Sequence, residues 1–212
     1  MMCRMTVASD VGFLASIFVD EKYSGSYQGL VVVDVGAYIA DSAIYFAKKG
    51  ARIVLALGPS PDNYNLAKEN ITLNKMESQV KLIPCALASR GGIGELWRSA
   101  LSPVSDSLFP AAAPEHADDF ERSSPTGTIS LQDLLREYSI SKIDVLKINC
   151  EGCEYDVFEN MDKETMNKIS NVILDFHNGP GRLPQILRRN GFKITISGGR
   201  MGSITAYREP PS

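Results

Sequence analysis

The sequence predicts an α/β domain built on an open, doubly wound, mostly parallel sheet with helices on both faces. Three observations carry that reading. Short apolar runs rich in β-branched residues recur without polar alternation, as strands buried on both faces require. Helical patterns separate these runs, so strand and helix alternate along the chain. The last two strand-like runs, Phe192 to Ile196 and Ser203 to Arg208, flank Gly198-Gly199 and close the chain as an antiparallel hairpin.

Residues 1–28 read as a lead-in, with a short helix or strand over Val11 to Val19 ahead of Tyr23 and Tyr27. The first buried strand, Leu30 to Val35, turns at Gly36-Ala37 into a helical pattern that runs to Lys49 and stops at Gly50. Gly36 lets a ligand approach the backbone, and Asp41 or Ser42 can cap the new helix. An acid at the strand tip, a small-residue turn and a helix N-terminus together make a nucleotide-sized cradle. The plain alternative is an ordinary strand-turn-helix corner.

Ala51 to Leu57 is a second buried run, ended by Gly58-Pro59-Ser60-Pro61. Ser60 followed by Pro61 marks a helix start, and the pattern continues to about Asn74. Val80 to Pro84 is a third strand and Ile93 to Trp97 a short fourth. From Ser99 to Thr126 periodicity vanishes in a Ser-, Pro- and Ala-rich stretch, so 99–127 reads as a lid or a disordered loop. Leu108-Phe109 is an apolar pair in it that could close over a ligand. Order returns at Ser130, which caps a helix over Leu131 to Tyr138. Ile143 to Ile148 is the next strand, Asn149 to Glu154 a turn, and Glu154 to about Met161 a short helix. Val172 to Phe176 and the helix Leu183 to Arg189 precede the terminal hairpin.

The 212 residues, 44% hydrophobic and 22% charged, fit one soluble globular domain over 1–212. The net charge of −3 and the lack of a basic cluster argue against nucleic acid as a partner. No apolar run approaches the ~20 residues that cross a membrane, and the start is too weakly basic for a signal peptide. Four cysteines in this length suggest reduced thiols and a cytoplasmic location.

Asp34-x-Gly36-Ala37, the run Pro59-Ser60-Pro61-Asp62-Asn63, and Leu146-Lys147-Ile148-Asn149-Cys150-Glu151-Gly152-Cys153-Glu154 resemble the FkbM-type methyltransferases. The resemblance extends from about Tyr23 to Tyr207 and includes His177-Asn178-Gly179. The first motif marks many class I methyltransferases, whereas the LKI-x-x-EG-x-E element is far more specific. The resemblance implies a Rossmann-like class I methyltransferase fold with seven strands, and S-adenosylmethionine as cofactor. It implies that the methionine part lies over Gly36 and Ala37, beside Tyr38, Asp41 and Ser42, with Asp34 shaping the loop or meeting the amino group. Adenosine would sit by Gly58, Pro59, Ser60 and Asn63 and near Ala86. The acceptor would lie near Asn149, Glu151 and His177, which are the candidate catalytic residues.

Three positions depart from the family pattern. Gly58 stands where a ribose-binding acid is expected, Asn149 where Asp is usual, and Ala40 where the loop carries a third glycine. Losing the carboxylate at residue 58 removes charge-assisted hydrogen bonds of about 1.5–3 kcal/mol. Two functions therefore compete. One is O-methylation of a hydroxyl on a small molecule or glycan; the other is ligand binding by a degenerate, non-catalytic relative. Oxygen is favoured as acceptor because the turn at Asn149 lacks the Asn/Asp-Pro-Pro-Tyr pattern of amine methylation. A nicotinamide enzyme would want Gly-x-Gly-x-x-Gly and an acid ending the second strand, and this chain has neither. Glu151 either orients or deprotonates the acceptor with His177, or caps the next helix or pairs with Lys147. His177 is otherwise a packing histidine. Cys150-x-x-Cys153 has the spacing of a redox pair or half a zinc site, but the zinc site lacks its other ligands, and the resemblance leaves both as small apolar fillers, with no metal expected.

Overall fold

The computed structural model describes residues 1–5, 10–99, 105–109 and 120–209, with backbone alone at 121 and 122. In chain order the strands are β1 (Val31–Val35), β2 (Ile53–Leu57), β3 (Val80–Ile83), β4 (Ala86–Leu87) and β5 (Gly92–Ser99). They continue with β6 (Phe120–Ile129), β7 (Ile143–Ile148), β8 (Ile169–Phe176), β9 (Lys193–Gly198) and β10 (Gly202–Tyr207). Seven of them form one sheet in the order β3-β2-β1-β7-β8-β10-β9. The first five of that order pair in parallel. β10 runs antiparallel to both β8 and β9, so the chain does end in the expected reversed hairpin.

The centre of the sheet explains itself from its residues. All five positions of β1 are buried, and Val, with its stiff branched side chain, suits a strand covered on both faces. The helix that follows, α2 (Asp41–Lys48), is buried at every residue but Lys48. Its outer face is covered by Tyr23 and Tyr27, whose rings lie 5.3 and 4.8 Å from that of Phe46. The lead-in is thus a cover for α2, preceded by a helix, α1 (Asp10–Phe18). From α3 (Pro61–Leu73), buried Asn70 donates to Ile39 O at 3.0 Å and accepts from Arg4 N–H at 2.6 Å. That side chain ties the N-terminal segment and the turn after β1 to one helix.

Ser60 and Ser130 occupy the N-caps of α3 and α4 (Leu131–Glu137), and only Ser130 uses its side chain, accepting from Asp133 N–H at 3.0 Å. The α2 expectation needs correction. Its N-cap is Ala40, in left-handed geometry at φ 66°, with no side-chain cap, while Asp41 and Ser42 lie inside the helix. Position 40 therefore keeps the conformation of a glycine while carrying a methyl group.

The aperiodic stretch also differs from expectation. Residues 120–129 form a long strand that pairs antiparallel with β5, and β4 joins β6 in parallel, giving a three-stranded sheet. Ser- and Thr-rich strands exposed on one side carry too little apolar periodicity to stand out. Residues 105–109 run back along β5, where Ser107 and Trp97 exchange backbone hydrogen bonds of 2.8 and 2.9 Å. The remaining parts of the expected lid, 100–104 and 110–119, lie outside the described residues. α5 (Cys153–Asn160), α6 (Lys163–Asn167) and α7 (Leu183–Arg189) complete the fold. The five-residue α6, capped by Asp162, is too short to show a period.

Candidate active site

Asp34 is the acid inside the apolar run of β1, and a carboxylate there needs partners. The parallel register sets Asp34 beside Lys147 of β7. Lys147 Nζ lies 2.8 Å from Asp34 Oδ1, and Ser42 Oγ donates to Asp34 Oδ2 at 2.6 Å. The ammonium also donates to Val35 O at 3.3 Å and Gly36 O at 3.1 Å. Burial works against the Lys147 charge, but the Asp34 carboxylate outweighs it and holds the lysine protonated. The pair fixes the turn after β1 from beneath.

Gly36 is required there. A Cβ built on it would fall 1.8 Å from Asn149 O, and its φ is 74°. The loop after β1 and the turn after β7 are therefore in backbone contact. The Gly36 and Ala37 N–H groups both donate to Leu57 O, at 3.1 and 2.9 Å, so neither is directed at a ligand.

The turn after β7 is left-handed at two successive residues, Glu151 at φ 54° and Gly152 at φ 113°. A non-glycine residue held there is strained, and such strain gathers at functional sites. The turn swings Glu151 to 3.2 Å from His177 Nε2, at the end of β8. On the other ring nitrogen, Nδ1, Glu154 Oε1 lies at 3.3 Å. Fully buried Glu154 is itself fixed, accepting from Gly152 N–H at 2.9 Å. Burial opposes a charged imidazole, but hydrogen bonds to Glu151 and Glu154 prevail and push the His177 pKa up to about 10. His177 is then an imidazolium clamped between two carboxylates at neutral pH. Among the described residues, Glu151 Oε2 and Asn149 Oδ1 are buried without a hydrogen-bond partner. Buried acceptors are ordinarily hydrogen-bonded, so two unpartnered ones in one turn stand out.

These elements meet in a cavity of about 740 Å³, within the range of about 300–1,000 Å³ that small-molecule sites occupy. It opens at the carboxyl ends of β1, β2, β7 and β8, where ligands of open α/β sheets bind. Gly36, Tyr38, Asp41 and Ser42 line it on one side, Gly58, Pro59, Ser60, Asn63 and Ala86 on another. Asn149, Glu151 and His177 line it beyond them. The structure thus brings the three candidate catalytic residues together. Asp34 and Ala37 do not line the cavity; they lie beneath it, 0% exposed. Burial raises the Asp41 pKa to about 6, against the pull of Lys147 and the Ser42 N–H.

The chain belongs to the FkbM methyltransferase family. The family model described as the methyltransferase FkbM domain matches residues 34–194, from the Asp34 loop through the Glu151–His177 cluster to β9. Methyltransferase sdnD of Sordaria araneosa is 29% identical over 191 residues, which cover 77% of this chain and 74% of that protein. Methyltransferase 1 of Beauveria bassiana is 22% identical over 199 residues, covering 85% and 80%. Among solved structures, methyltransferase FkbM of Methylobacillus flagellatus superposes with a TM-score of 0.60 at 14% identity, covering 92% of this chain. The present chain spans 47% of that longer protein, about half its length.

Two cysteines of this FkbM domain depart from the expectation of free thiols. Cys150 and Cys153 form a disulfide. The double left-handed turn between them brings their Cα atoms to 5.6 Å, a separation that a disulfide spans. Among the described residues, these two and Glu154 form a group of potential metal ligands within 4.8 Å, but the disulfide takes up both sulfurs. Lys147 partners Asp34 and Glu154 partners His177, roles the motif does not assign, although a charge inside an apolar strand and the last acid of EG-x-E are signals for them. Glu151 neither caps α5, whose N-cap is Gly152, nor pairs with Lys147. Asp106, from the aperiodic stretch, also lines the cavity, and nothing in its sequence context marked it. Among the described residues no helix is long and apolar enough to cross a membrane.

Proposed function

We propose that this FkbM domain binds S-adenosylmethionine and methylates a hydroxyl oxygen on a small molecule or glycan. One observation carries the reading: Asn149, Glu151 and His177 line one cavity, and His177 holds the Glu151 carboxylate there at 3.2 Å. The chain's residues fit the cofactor chemically. Asp41 offers negative charge to a cationic ligand, and Gly36 and Tyr38 form the adjoining wall. When bound, S-adenosylmethionine supplies a methyl group on a cationic sulfur.

Glu151 accepts the hydrogen bond of the acceptor hydroxyl and holds the proton that this oxygen gives up. His177 keeps Glu151 in place, and Glu154 keeps His177 in place. Asn149 lines the cavity beside it and orients the substrate through its amide. With so activated a donor, holding the two reactants in line supplies much of the acceleration. No nucleic-acid or membrane partner is part of this reading. In the cytoplasm that it assumes, the Cys150–Cys153 bond would exchange with the thiol pool.

A second reading, a ligand-binding relative without turnover, draws on Gly58 and on the amide of Asn149 in place of an acid. The test is to incubate the protein with S-adenosylmethionine and a panel of hydroxylated metabolites and glycans, following release of S-adenosylhomocysteine. Turnover that drops about 10²–10⁴-fold in Glu151→Gln supports the enzyme. Tight cofactor binding in calorimetry with no turnover on any acceptor supports the second reading. Absence of binding to the wild type and to Gly58→Glu would sink the cofactor assignment, and the enzyme with it.

A further inference from the structure

The end of the cavity at Gly58 has no carboxylate of its own, because a hydrogen stands where a side chain would be. A Cβ built on Gly58 meets nothing within 4 Å, so the space beside it is open. Asp106 lies at the same end. It reaches the cavity from the segment 105–109, far from β2 in sequence, and lines it together with Gly58, Ser60 and Asn63.

The segment that carries Asp106 is fastened to two other parts of the chain. Ser107 and Trp97 exchange two backbone hydrogen bonds, and Ser107 Oγ donates to Glu151 O at 2.5 Å while accepting from Phe109 N–H within the segment at 2.8 Å. The Asp106 carboxyl is aimed as well. Its Oδ1 accepts from Ser99 N–H at 3.2 Å, and the Ser60 hydroxyl lies close enough to favour the ionised carboxylate. Burial raises its pKa, against the pull of Ser60, the Ser99 N–H and the nearby Arg98. Arg98 itself is engaged by Asp62 at 2.6 Å. A partly buried carboxylate facing a cavity is costly unless it meets donors.

An adenosine ribose presents two adjacent hydroxyls, and a carboxylate presents two acceptor oxygens at a matching spacing. We infer that Asp106 is the ribose-binding residue of this chain, supplying from the β5–β6 connection the carboxylate that Gly58 does not. The inference rests on the proposed binding of S-adenosylmethionine. The connection then serves twice, because the strap that bonds to the Glu151 turn at Ser107 also reads the cofactor one residue earlier. Cofactor and acceptor turn are thereby joined through two neighbouring residues.

The test is calorimetric titration of S-adenosylhomocysteine and of its analogue lacking both ribose hydroxyls. The wild type should prefer the parent compound by about ten- to hundredfold, the range expected for charge-assisted hydrogen bonds. Asp106→Ala should bind the parent as weakly as the analogue, and adding Gly58→Glu to that variant should restore the preference. Thermal melts of Asp106→Asn, close in shape to the wild type, guard against a folding artefact. A wild type that binds both compounds equally, or an Asp106→Ala that discriminates as the wild type does, overturns the inference while leaving cofactor binding intact. A wild type that binds neither compound overturns the cofactor reading itself, and the inference with it.

Discussion

Lys147 and Asp34 face each other across the β1–β7 pairing at 2.8 Å, with both side chains almost wholly withdrawn from water. Removing one partner leaves the other as an uncompensated buried charge. Asp34→Ala or Lys147→Met alone should destabilise the protein by about 3–5 kcal/mol. The double variant Asp34→Leu/Lys147→Met should cost clearly less than the sum of the singles, because no charge is then stranded. Urea unfolding of the three variants checks this; additive losses would mean that the two residues act independently.

His177 makes stability fall with rising pH. Its ordinary pKa is 6.5 and its folded value about 10. Below pH 6.5 both folded and unfolded chains carry the proton, and the full contribution of the clamp is present. Between 6.5 and about 10 only the folded state keeps the proton, so stability declines, and above that range the contribution is gone. Urea midpoints at pH 6, 8 and 10 should drop more steeply for the wild type than for His177→Gln. Parallel curves would show that the imidazole is not held charged.

Asp41 acts in the opposite sense on binding. Its carboxyl, with a pKa of about 6, is largely protonated at pH 5 and ionised at pH 7. A cationic cofactor selects the ionised form, so S-adenosylmethionine should bind roughly tenfold more weakly at pH 5 than at pH 7. Asp41→Asn should bind weakly at both values. For folding alone the same group costs stability as pH rises from 3.8 to about 6, since the unfolded chain ionises first. Calorimetry across this range separates the two effects.

The Cys150–Cys153 disulfide closes a ring around Glu151 and Gly152. Opening so small a ring should cost about 2 kcal/mol or less in stability. Its larger effect should be on the chemistry, because the ring holds Glu151 in its left-handed conformation against His177. Reduction, or the pair Cys150→Ser/Cys153→Ser, should lower kcat more than it weakens S-adenosylmethionine binding. Equal losses in both would place the role of the disulfide in folding.

Much of this molecule is legible in its residues where the cause is local. The Val-rich β1, Pro61 opening α3 and Ser130 capping α4 each announce their element within a few positions. What is not legible depends on strand order. Nothing near Asp34 says that Lys147, far along the chain, will be its neighbour, although a charge within each apolar strand hints at a mate. The candidate catalytic residues came from a motif and do converge, but the partners that fix them, Glu154 and the disulfide, emerge only from the fold of the turn. Asp106 and β6 lie in a stretch whose pairing comes from β5 and not from its own periodicity.

The contact between Gly36 and Asn149 O has a further consequence for how such a site can change. Because one backbone rests on the other, a new side chain or an inserted residue in either loop would push the other aside. The floor of the site is in effect a single part made from two distant pieces of chain. New acceptors are then reached by altering what borders the cavity above that floor, such as Ser105, Asp106 and Leu108, while the floor is inherited whole.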